Sequence, residues 1–399
     1  MPLYALYALL FADHGLNTAE ISSLLFFWSV TAFVFEVPSG AWADTVSRRK
    51  LLILGPVLIA LGFATWTVFP SYEGFALGFV LWGIGGSLQS GTFQALVYDE
   101  LAARSAAREY PRIIGFATSA SELGALLGIL SAAPLYAWGG YVLVGWVSVG
   151  VAIVQALLAI SLPAAPKAAS VAAVADIDDE EDLEDVEDVP SGVTTYLRML
   201  RTGISEALRH KTVRRGVLLS SVLFGFTAFD EYFGLLAEEN GAETGFIPIL
   251  IGLTVAGSLV GSAIAGRTAS MSARTMAWAL VVSGAALAIG ASIGGSGWAG
   301  IAGFAAIGVG YGIISNAIVV SDARLQDAID GPARATVTSA SGLMSEVVGL
   351  AIFGFFALGS VWLSVAPLVA LCGVPVVLAA LVVPRWLPAV RTEPVDARR

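Results

Sequence analysis

The sequence has few cysteines, few histidines and few charged residues. Among its 399 residues are one cysteine, two histidines and 13% charged residues, while 57% are apolar, and the mean hydropathy is +0.80. A typical soluble domain carries about 25% charged residues. A single cysteine excludes a disulfide within the chain and a zinc site built from cysteines, and we expect neither a metal nor a cofactor. The composition therefore excludes an ordinary soluble enzyme and predicts an integral membrane protein.

Acidic residues outnumber basic ones, but the excess lies in one short run. The formal net charge is −10, and ten carboxylates stand between Asp176 and Asp188 in the run DIDDEEDLEDVED. The remainder of the chain is neutral, so the net charge does not indicate an acidic binding surface, and we expect no nucleic-acid partner.

Twelve apolar runs are candidates for membrane spans. A hydrocarbon core about 30 Å thick needs about 20 apolar residues in a helix. The first run is too short to cross alone, so either its helix begins within the membrane or the natural chain starts upstream of Met1. The runs predict an all-α membrane protein with twelve transmembrane helices. They are Pro2–Ala12, Ile21–Ala43, Leu51–Phe69, Gly74–Tyr98, Ile113–Ala137, Tyr141–Leu162, Gly216–Ala237, Phe246–Ala265, Met276–Ile293, Trp298–Val320, Ala335–Leu358 and Trp362–Val383.

The positions of the basic residues support this count independently. When both termini are placed in the cytoplasm, all 21 Lys and Arg residues fall in the inner segments, as the positive-inside rule requires. The outer loops contain acids instead, namely Glu20, Glu73, Glu238, Glu239 and Glu243. We therefore expect a multi-pass protein of the bacterial inner membrane with both termini cytoplasmic.

Three features recur in the same order in the two halves of the chain. Asp99 corresponds to Asp322 at an offset of 223 residues, and Arg112 corresponds to Arg334 at 222. The sequence Thr-Ser-Ala-Ser follows in both halves at an offset of 220. Two six-helix halves with a site between them near the midplane are the layout of many secondary transporters.

The repeat predicts the domain boundaries. We expect an N-terminal six-helix bundle over residues 1–163 and a C-terminal six-helix bundle over 214–385. We expect residues 164–213 to form a cytoplasmic acidic linker followed by an amphipathic interfacial helix, and 386–399 to form a cytoplasmic tail. The linker is interpreted as a plain tether, with a regulatory role as the alternative.

The second span ends in the sequence GAWADTVSRRK, from Gly40 to Lys50. It resembles the loop motif G-x-x-x-D-R-x-G-R-R/K of the major facilitator superfamily, although Thr and Ser replace the usual Arg and Gly. The resemblance covers nearly the whole chain. It implies two pseudo-symmetric six-helix bundles, alternating access and an inner gate built from Gly40, Asp44, Arg48 and Arg49. The alternative is that the basic residues only set the topology.

Several acids, but no Lys or Arg, fall within the predicted spans. A charge at the bilayer centre costs at least about 2.5–3.5 kcal/mol, so such residues are functional candidates. Each acid can instead be a neutral packing group bonded to a hydroxyl. Because neighbours on an α-helix point about 100° apart, we expect only one of Asp230 and Glu231 to face a cavity. The candidates for proton coupling are Glu36, Glu122, Asp230, Glu231 and Glu346.

In the superfamily that the motif resembles, the first, fourth, seventh and tenth helices line the solute cavity. Aromatic rings and a few amides there suit neutral or cationic, partly apolar solutes, and an anionic solute would normally need an Arg or Lys. The alternative is that these residues pack or face lipid. The cavity candidates are Tyr4, Tyr7, Gln89, Gln94, Phe229, Tyr232, Tyr311 and Asn316.

These features predict a secondary transporter that works as a monomer in the lipid bilayer, with a small-molecule substrate and protons as its partners. The first hypothesis is proton-coupled export of amphipathic neutral or cationic molecules. The fourth span lacks the Arg usual in drug–proton antiporters, and the fifth span has only a scattered antiporter motif. An importer or uniporter of a nutrient or vitamin-like solute is therefore the alternative. A scaffold or lipid scramblase is a third class, which the acids within the spans disfavour.

Overall fold

Nearly every described residue is helical. The computed structural model describes residues 1–163, 210–294, 296–329 and 333–389. In these ranges there are fifteen α-helices, three 3₁₀ helices and no strand. The predicted linker lies outside the described residues except for 210–213, and so do residues 390–399 of the predicted tail.

The first half of the chain contains six α-helices, with 3₁₀ helices at Pro2–Ala5 and Ala107–Glu109. A left-handed residue, Gly91, separates the two helices of the fourth predicted span. The α-helices are α1 (Tyr7–Asp13), α2 (Thr18–Thr45), α3 (Arg48–Val68), α4 (Tyr72–Gln89), α5 (Thr92–Ala103) and α6 (Tyr110–Ile160).

Helix α6 contains two predicted spans. Its 51 residues would reach about 76 Å at 1.5 Å per residue, more than twice the thickness of a bilayer core. The backbone leaves the helical region at Gly139 and Gly140, and Gly140 has φ 60°. Because glycine adopts positive φ without strain, this pair ends the fifth span and begins the sixth, as the hydropathy predicted.

The second half contains nine α-helices among the described residues, together with the 3₁₀ helix Phe226–Tyr232. Helix α12 continues beyond the predicted end of its span at Val320 to Ala328, and Arg324 in these last turns donates to the carbonyl oxygens of Ala269 and Met271. The α-helices are α7 (Lys211–Gly225), α8 (Phe233–Glu239), α9 (Ile247–Ala263), α10 (Ala265–Thr268), α11 (Ala273–Ser292), α12 (Trp298–Ala328), α13 (Ala333–Gly359), α14 (Val365–Leu371) and α15 (Gly373–Trp386).

Seven helical stretches in the described part of the chain are long and apolar enough to cross a membrane, judged by length and composition. One of them, Arg112–Ile160, holds two of the predicted spans. The other predicted spans coincide with a shorter helix, such as α9, or with consecutive helices, such as α4 followed by α5. Each of the twelve apolar runs therefore corresponds to helical structure.

Polar residues cap several helices at their ends. Asn17 and Glu20 form a reciprocal capping box at the start of α2, with bonds of 3.0 and 2.9 Å between each side chain and the other backbone N–H. Ser71 accepts from the N–H of Gly74 at 3.2 Å and caps α4. Such caps satisfy amides that have no partner within their own helix.

The chain forms two compact units. The first contains Met1–Leu3, Phe27–Gly128 and the described residues of Trp138–Leu197. The second contains Tyr4–Phe26, Ile129–Ala137 and the described residues of Arg198–Arg399. Helix α1 and the first turns of α2 therefore belong to the same unit as the C-terminal helices. The domain boundaries at 163, 214 and 385 stay a prediction.

Aromatic packing between α3 and α4 stabilises the first unit. The rings of Phe63, Trp66, Phe79 and Trp82 contact one another with centroid distances of 4.8–6.0 Å. The indole N–H of Trp66 donates to the carbonyl oxygen of Phe75 at 2.9 Å. A buried aromatic cluster with its polar atom satisfied is a strong local source of stability.

In the second unit, α9 and α12 touch along their backbones. A Cβ at Gly257 would lie 2.1 Å from the carbonyl oxygen of Gly308, and one at Gly261 would lie 1.9 Å from that of Gly312. These distances leave no room for a side chain. Small residues allow such close helix contacts in membrane proteins, and here they fix the position of Tyr311 on α12.

Candidate functional site

The seventh predicted span is interrupted by a 3₁₀ helix that carries two adjacent acids. Helix α7 ends at Gly225, and the 3₁₀ helix Phe226–Tyr232 follows. Gly225 permits close contact with α13, because a Cβ there would lie 2.2 Å from the carbonyl oxygen of Ser345. Successive side chains of a 3₁₀ helix point about 120° apart, so Asp230 and Glu231 reach different neighbours.

Both carboxylate oxygens of Glu231 accept hydrogen bonds from tyrosines near the start of the chain. The hydroxyl of Tyr4 donates to Oε1 at 3.2 Å, and the hydroxyl of Tyr7 donates to Oε2. The two rings lie 6.0 Å apart. Tyr4 and Tyr7 are three residues apart, so consecutive helical turns bring both hydroxyls to one carboxylate.

Asp230 has a different partner. The hydroxyl of Tyr311 on α12 donates to its Oδ2 at 2.6 Å. The ring of Tyr311 contacts Phe229 and Phe233 edge-on, at centroid distances of 5.9 and 5.8 Å. These contacts hold the Tyr311 hydroxyl toward Asp230. The 3₁₀ geometry thus gives each acid its own tyrosine partners, and the expectation that only one of the two faces a cavity stays a prediction.

We call Tyr4, Tyr7, Asp230, Glu231 and Tyr311 the tyrosine–carboxylate cluster. Two further cavity candidates border it. Phe229 is fully buried beside Tyr311. Tyr232, which is also fully buried, donates to the hydroxyl of Ser22 at 2.7 Å and stacks on Phe356 with ring centroids 3.6 Å apart. Five of the eight predicted cavity residues thus lie in or beside the cluster.

The cluster satisfies its carboxylates with hydroxyl groups. Among the described residues, the ion pairs are Arg48–Asp99, Arg104–Glu100 and Arg112–Glu109, and none includes Asp230 or Glu231. Within the same residues no group of His, Cys, Asp and Glu side chains has the arrangement of a metal site. Hydroxyl donors stabilise an ionised carboxylate and still allow it to bind a proton, so the chemistry open to the cluster is proton binding and release.

The other three predicted acids lie outside the cluster. Glu36 is exposed and accepts a hydrogen bond from the Ser90 hydroxyl at 2.9 Å. Glu122 is exposed on α6, and Glu346 is half-buried on α13. The repeat makes Glu122 and Glu346 equivalent in sequence, yet their burial differs. Their role in proton coupling stays a prediction.

The three remaining cavity candidates have polar contacts or exposed positions of their own. Gln89 accepts from the amide of Gln155 at 2.8 Å, and Gln94 is exposed on α5. Asn316 is buried and donates to the carbonyl oxygen of Gly261 and the hydroxyl of Thr268, both at 2.9 Å. Asn316 therefore ties α12 to α9 and α10, and its contact with a solute stays a prediction.

Two of the predicted gate residues hold helix ends in the first unit. Arg48 forms an ion pair with Asp99 and donates to the carbonyl oxygen of Ala95 at 3.3 Å. Arg49 donates to the carbonyl oxygen of Leu162 at 3.3 Å. Asp99 is 7% exposed. Sequence reasoning used Asp99 only as a marker of the repeat, although a carboxylate beside a basic loop at a helix end is a recognisable signal for an ion pair.

The other two gate residues, Gly40 and Asp44, belong to α2. The side chain of Asp44 lies outside what the structure describes, so the gate as a whole stays a prediction.

In the second unit, an arginine bonded to carbonyl oxygens holds the loop between α10 and α11, which corresponds by the repeat to the loop between α2 and α3. Arg324 on α12 donates to the carbonyl oxygen of Ala269 from Nε at 3.2 Å and from one terminal nitrogen at 2.7 Å. It also donates to the carbonyl oxygen of Met271 at 2.5 Å. Arg324 is 6% exposed. An ion pair in one half is thus matched by guanidinium–carbonyl bonds in the other, which the charge pattern alone did not reveal.

One acid outside the spans has a perturbed titration. Burial raises the pKa of the Glu238 carboxyl near the end of α8, and the negative charge of Asp13 raises this pKa further. Both residues belong to the second unit. The neighbouring Glu239 instead bonds to Ser364 at 2.6 Å and to the backbone N–H of Val365 at 2.7 Å.

The family follows from the sequence as a whole. Residues 1–353 match the profile of the Major Facilitator Superfamily. The chain belongs to this superfamily. Membership agrees with the loop motif at Gly40–Lys50, and it confirms the predicted fold class of an all-α membrane protein with twelve transmembrane helices in two pseudo-symmetric bundles.

Three solved structures share this superfamily fold at low sequence identity. A D-xylose–proton symporter is 17% identical with a TM-score of 0.65, covering 97% of this chain and 93% of that chain. The nucleoside transporter NupG is 11% identical with a TM-score of 0.69, covering 95% and 92%. An auto-inhibited peptide transporter of the POT family is 15% identical with a TM-score of 0.68, covering 100% and 95%.

No curated protein sequence matches the chain significantly. Superfamily membership makes the chain a multi-pass membrane protein and a secondary transporter of small molecules.

Proposed function

We propose that this transporter exports amphipathic neutral or cationic small molecules across the bacterial inner membrane, coupled to protons, by alternating access. Both termini are cytoplasmic in this proposal, and the protein acts as a monomer. The tyrosine–carboxylate cluster is the observation that carries it. Two adjacent carboxylates in an apolar span accept hydrogen bonds from tyrosine hydroxyls and form no ion pair among the described residues, and proteins rarely keep such groups in a membrane without a use for them.

Proton coupling follows from how such a carboxylate responds to its surroundings. An ionised carboxylate is stabilised by phenol donors, while a neutral one is favoured by apolar surroundings. Access to water on one side and then the other lets the same group bind a proton and release it. Glu231 and Asp230 are the main coupling residues in this proposal, and Glu36, Glu122 and Glu346 are further candidates.

The solute class follows from the same charges. The predicted spans contain no Lys or Arg, whereas they contain acids and aromatic rings. Carboxylates and the faces of aromatic rings attract cations, and apolar walls accommodate the apolar part of a solute. Arg48 and Arg49, together with Asp44 and the newly found partner Asp99, form the proposed inner gate, whose bonds break when the inner side opens.

The alternative is import or uniport of a nutrient-like solute. It is supported by the absence of Arg from the fourth predicted span and by the scattered antiporter motif in the fifth. The structural neighbours are named for xylose, nucleosides and peptides. At identities of 11–17% they support the fold alone, so they favour neither direction.

Transport in proteoliposomes under an imposed pH gradient tests the proposal. The wild-type protein is assayed with a panel of dyes and metabolites, first with the interior acidic and then with the interior alkaline. We expect solute flux to reverse with the gradient. Glu231→Gln should abolish gradient-driven flux, whereas Glu243→Gln, which changes an exposed acid outside the spans, should not. Wild-type flux that ignores the gradient in both orientations would refute proton coupling.

A further inference from the structure

The two adjacent acids of the 3₁₀ helix are attached to different parts of the second unit. Both hydroxyl donors to Glu231 lie in the segment Tyr4–Phe26, which contains α1. The donor to Asp230, by contrast, is Tyr311 in the middle of α12. A change in the charge of Glu231 therefore alters the hydrogen bonds to Tyr4 and Tyr7, whereas a change in the charge of Asp230 alters the hydrogen bond to Tyr311 on α12.

We propose that the proton state of Glu231 controls how firmly α1 is attached to the 3₁₀ helix, with Tyr4 and Tyr7 as positioning residues. Asp230 keeps its bond to Tyr311 and acts on this attachment through its neighbouring charge rather than through a hydrogen bond to Tyr4 or Tyr7. The two carboxylates thus act in separate steps of the proposed transport cycle, although they are neighbours in sequence.

The hydrogen bonds supply the chemistry. An ionised Glu231 offers both oxygens to the two phenols, and hydrogen bonds to a charged acceptor are roughly twice as strong as neutral ones. When Glu231 takes a proton from a hydronium ion, an O–H bond forms at one carboxylate oxygen, an O–H bond of the hydronium ion breaks to leave water, and the carboxyl becomes neutral. The protonated oxygen becomes a donor and a weaker acceptor, so the bond that it accepts from a phenol weakens, and the other bond becomes a neutral one. Both tyrosines keep their protons throughout.

Other contacts keep the segment in place when these bonds weaken. The hydroxyl of Tyr232 donates to Ser22 at 2.7 Å, and Gly234 packs close to Leu9 and Ala5. These contacts do not involve Glu231, so protonation loosens α1 without detaching it. The titratable groups that face Glu231, or stand next to those that do, are Tyr4, Tyr7, Asp230, Tyr232, Tyr311 and Cys372.

Backbone hydrogen exchange of the full chain in lipid nanodiscs tests this attachment. The amides of α1, whose side chains Tyr7 to Phe11 are buried, are followed in the wild type, in the double variant Tyr4→Phe/Tyr7→Phe and in the matched variant Tyr311→Phe. We expect the double variant to speed exchange in α1 at least fivefold and Tyr311→Phe to leave it unchanged. Lowering the pH should speed wild-type α1 exchange after correction for the intrinsic rate, and Glu231→Gln should remove that pH dependence.

The exchange of α3, which belongs to the first unit whereas the cluster belongs to the second, shows whether a variant has simply destabilised the fold. Equal effects of Tyr311→Phe and of the double variant on α1 would overturn the inference, as would unchanged α1 exchange in the double variant. The assignment of the two carboxylates to separate steps of the transport cycle rests on the proposed function, but the exchange measurement does not require transport. Confirmed attachment together with flux that ignores the pH gradient would refute proton-coupled transport and leave the attachment standing.

Discussion

The ion pair between Arg48 and Asp99 gives the sharpest test of the structure of the first unit. The side chains of this pair are 16% and 10% exposed. The next residue along the same helix, Glu100, pairs with Arg104, whose side chain is 70% exposed. Asp99→Asn and Glu100→Gln therefore remove one charge each from adjacent positions of similar exposure, 10% and 16%, but the first leaves a buried Arg48 without its partner and the second leaves an exposed Arg104.

The expected magnitudes differ several-fold. Breaking a buried pair by removing one partner costs about 3–5 kcal/mol, because the other charge is left buried and uncompensated. An exposed pair contributes about 0–1 kcal/mol. For a unit of roughly 150–250 residues, about 1 kcal/mol changes Tm by roughly 2–4 °C. Asp99→Asn should therefore lower Tm by roughly 6 °C or more, and Glu100→Gln by less than about 4 °C.

Thermal unfolding of the purified protein, monitored through its tryptophans, measures both changes. The double variant Arg48→Gln/Asp99→Asn should be less destabilised than the sum of its single variants, because the second change removes the charge that the first left unpaired. Equal Tm shifts for Asp99→Asn and Glu100→Gln, or strictly additive effects in the double variant, would refute the assigned pairing.

Gly261→Val should lower Tm, because overpacking costs about 1–3 kcal/mol or more. The control Gly266→Val has open space at its Cβ position and should lower Tm less. Equal losses of Tm in the two variants would contradict the close α9–α12 contact. The raised pKa of Glu238 means that the folded state binds its proton more tightly, so stability falls as pH rises above the ordinary value of 4.5. Glu238→Gln should flatten the pH dependence of Tm above pH 4.5. An unchanged pH dependence of Tm would contradict the raised pKa of Glu238. Ala variants at Glu122 and Glu346 should lose gradient-driven flux in proteoliposomes if either acid carries protons, and intact flux would make both structural.

The fold could be predicted from the sequence because a membrane limits what a chain can do. Backbone groups in the hydrocarbon core must bond within a helix, so twelve apolar runs predict twelve helical spans. The Gly139-Gly140 break was visible for the same reason, since a helix of that length exceeds the bilayer. Basic residues mark the ends of these helices on one side.

The contacts of the site could be predicted only in part. The sequence indicated Tyr4, Tyr7 and Tyr311 as cavity candidates and Asp230 and Glu231 as coupling candidates. It did not show that these residues bond to one another, because the partners are 227, 224 and 81 residues apart and meet only through tertiary packing. The 3₁₀ turn was also missed, since hydropathy does not distinguish a 3₁₀ turn from an α-helical one.

The pairing of Arg48 with Asp99 was missed for a different reason. The motif directed attention to Asp44, which lies near Arg48 in sequence, whereas the partner found is 51 residues away. Arg324 was counted only as a topology determinant, although its burial at the end of α12 makes it a structural residue. Local sequence patterns identify the charged residue but not the atoms that it contacts.

The backbone contact between α9 and α12 bears on how Tyr311 can move. Carbonyl oxygens occupy the space where methyl groups would stand, so a shift of α12 that carries Tyr311 also has to carry or slide past α9. The seventh predicted span, by contrast, changes from α-helix to a 3₁₀ turn beside Asp230. We therefore expect a conformational change that separates Tyr311 from Asp230 to bend the seventh span at this turn.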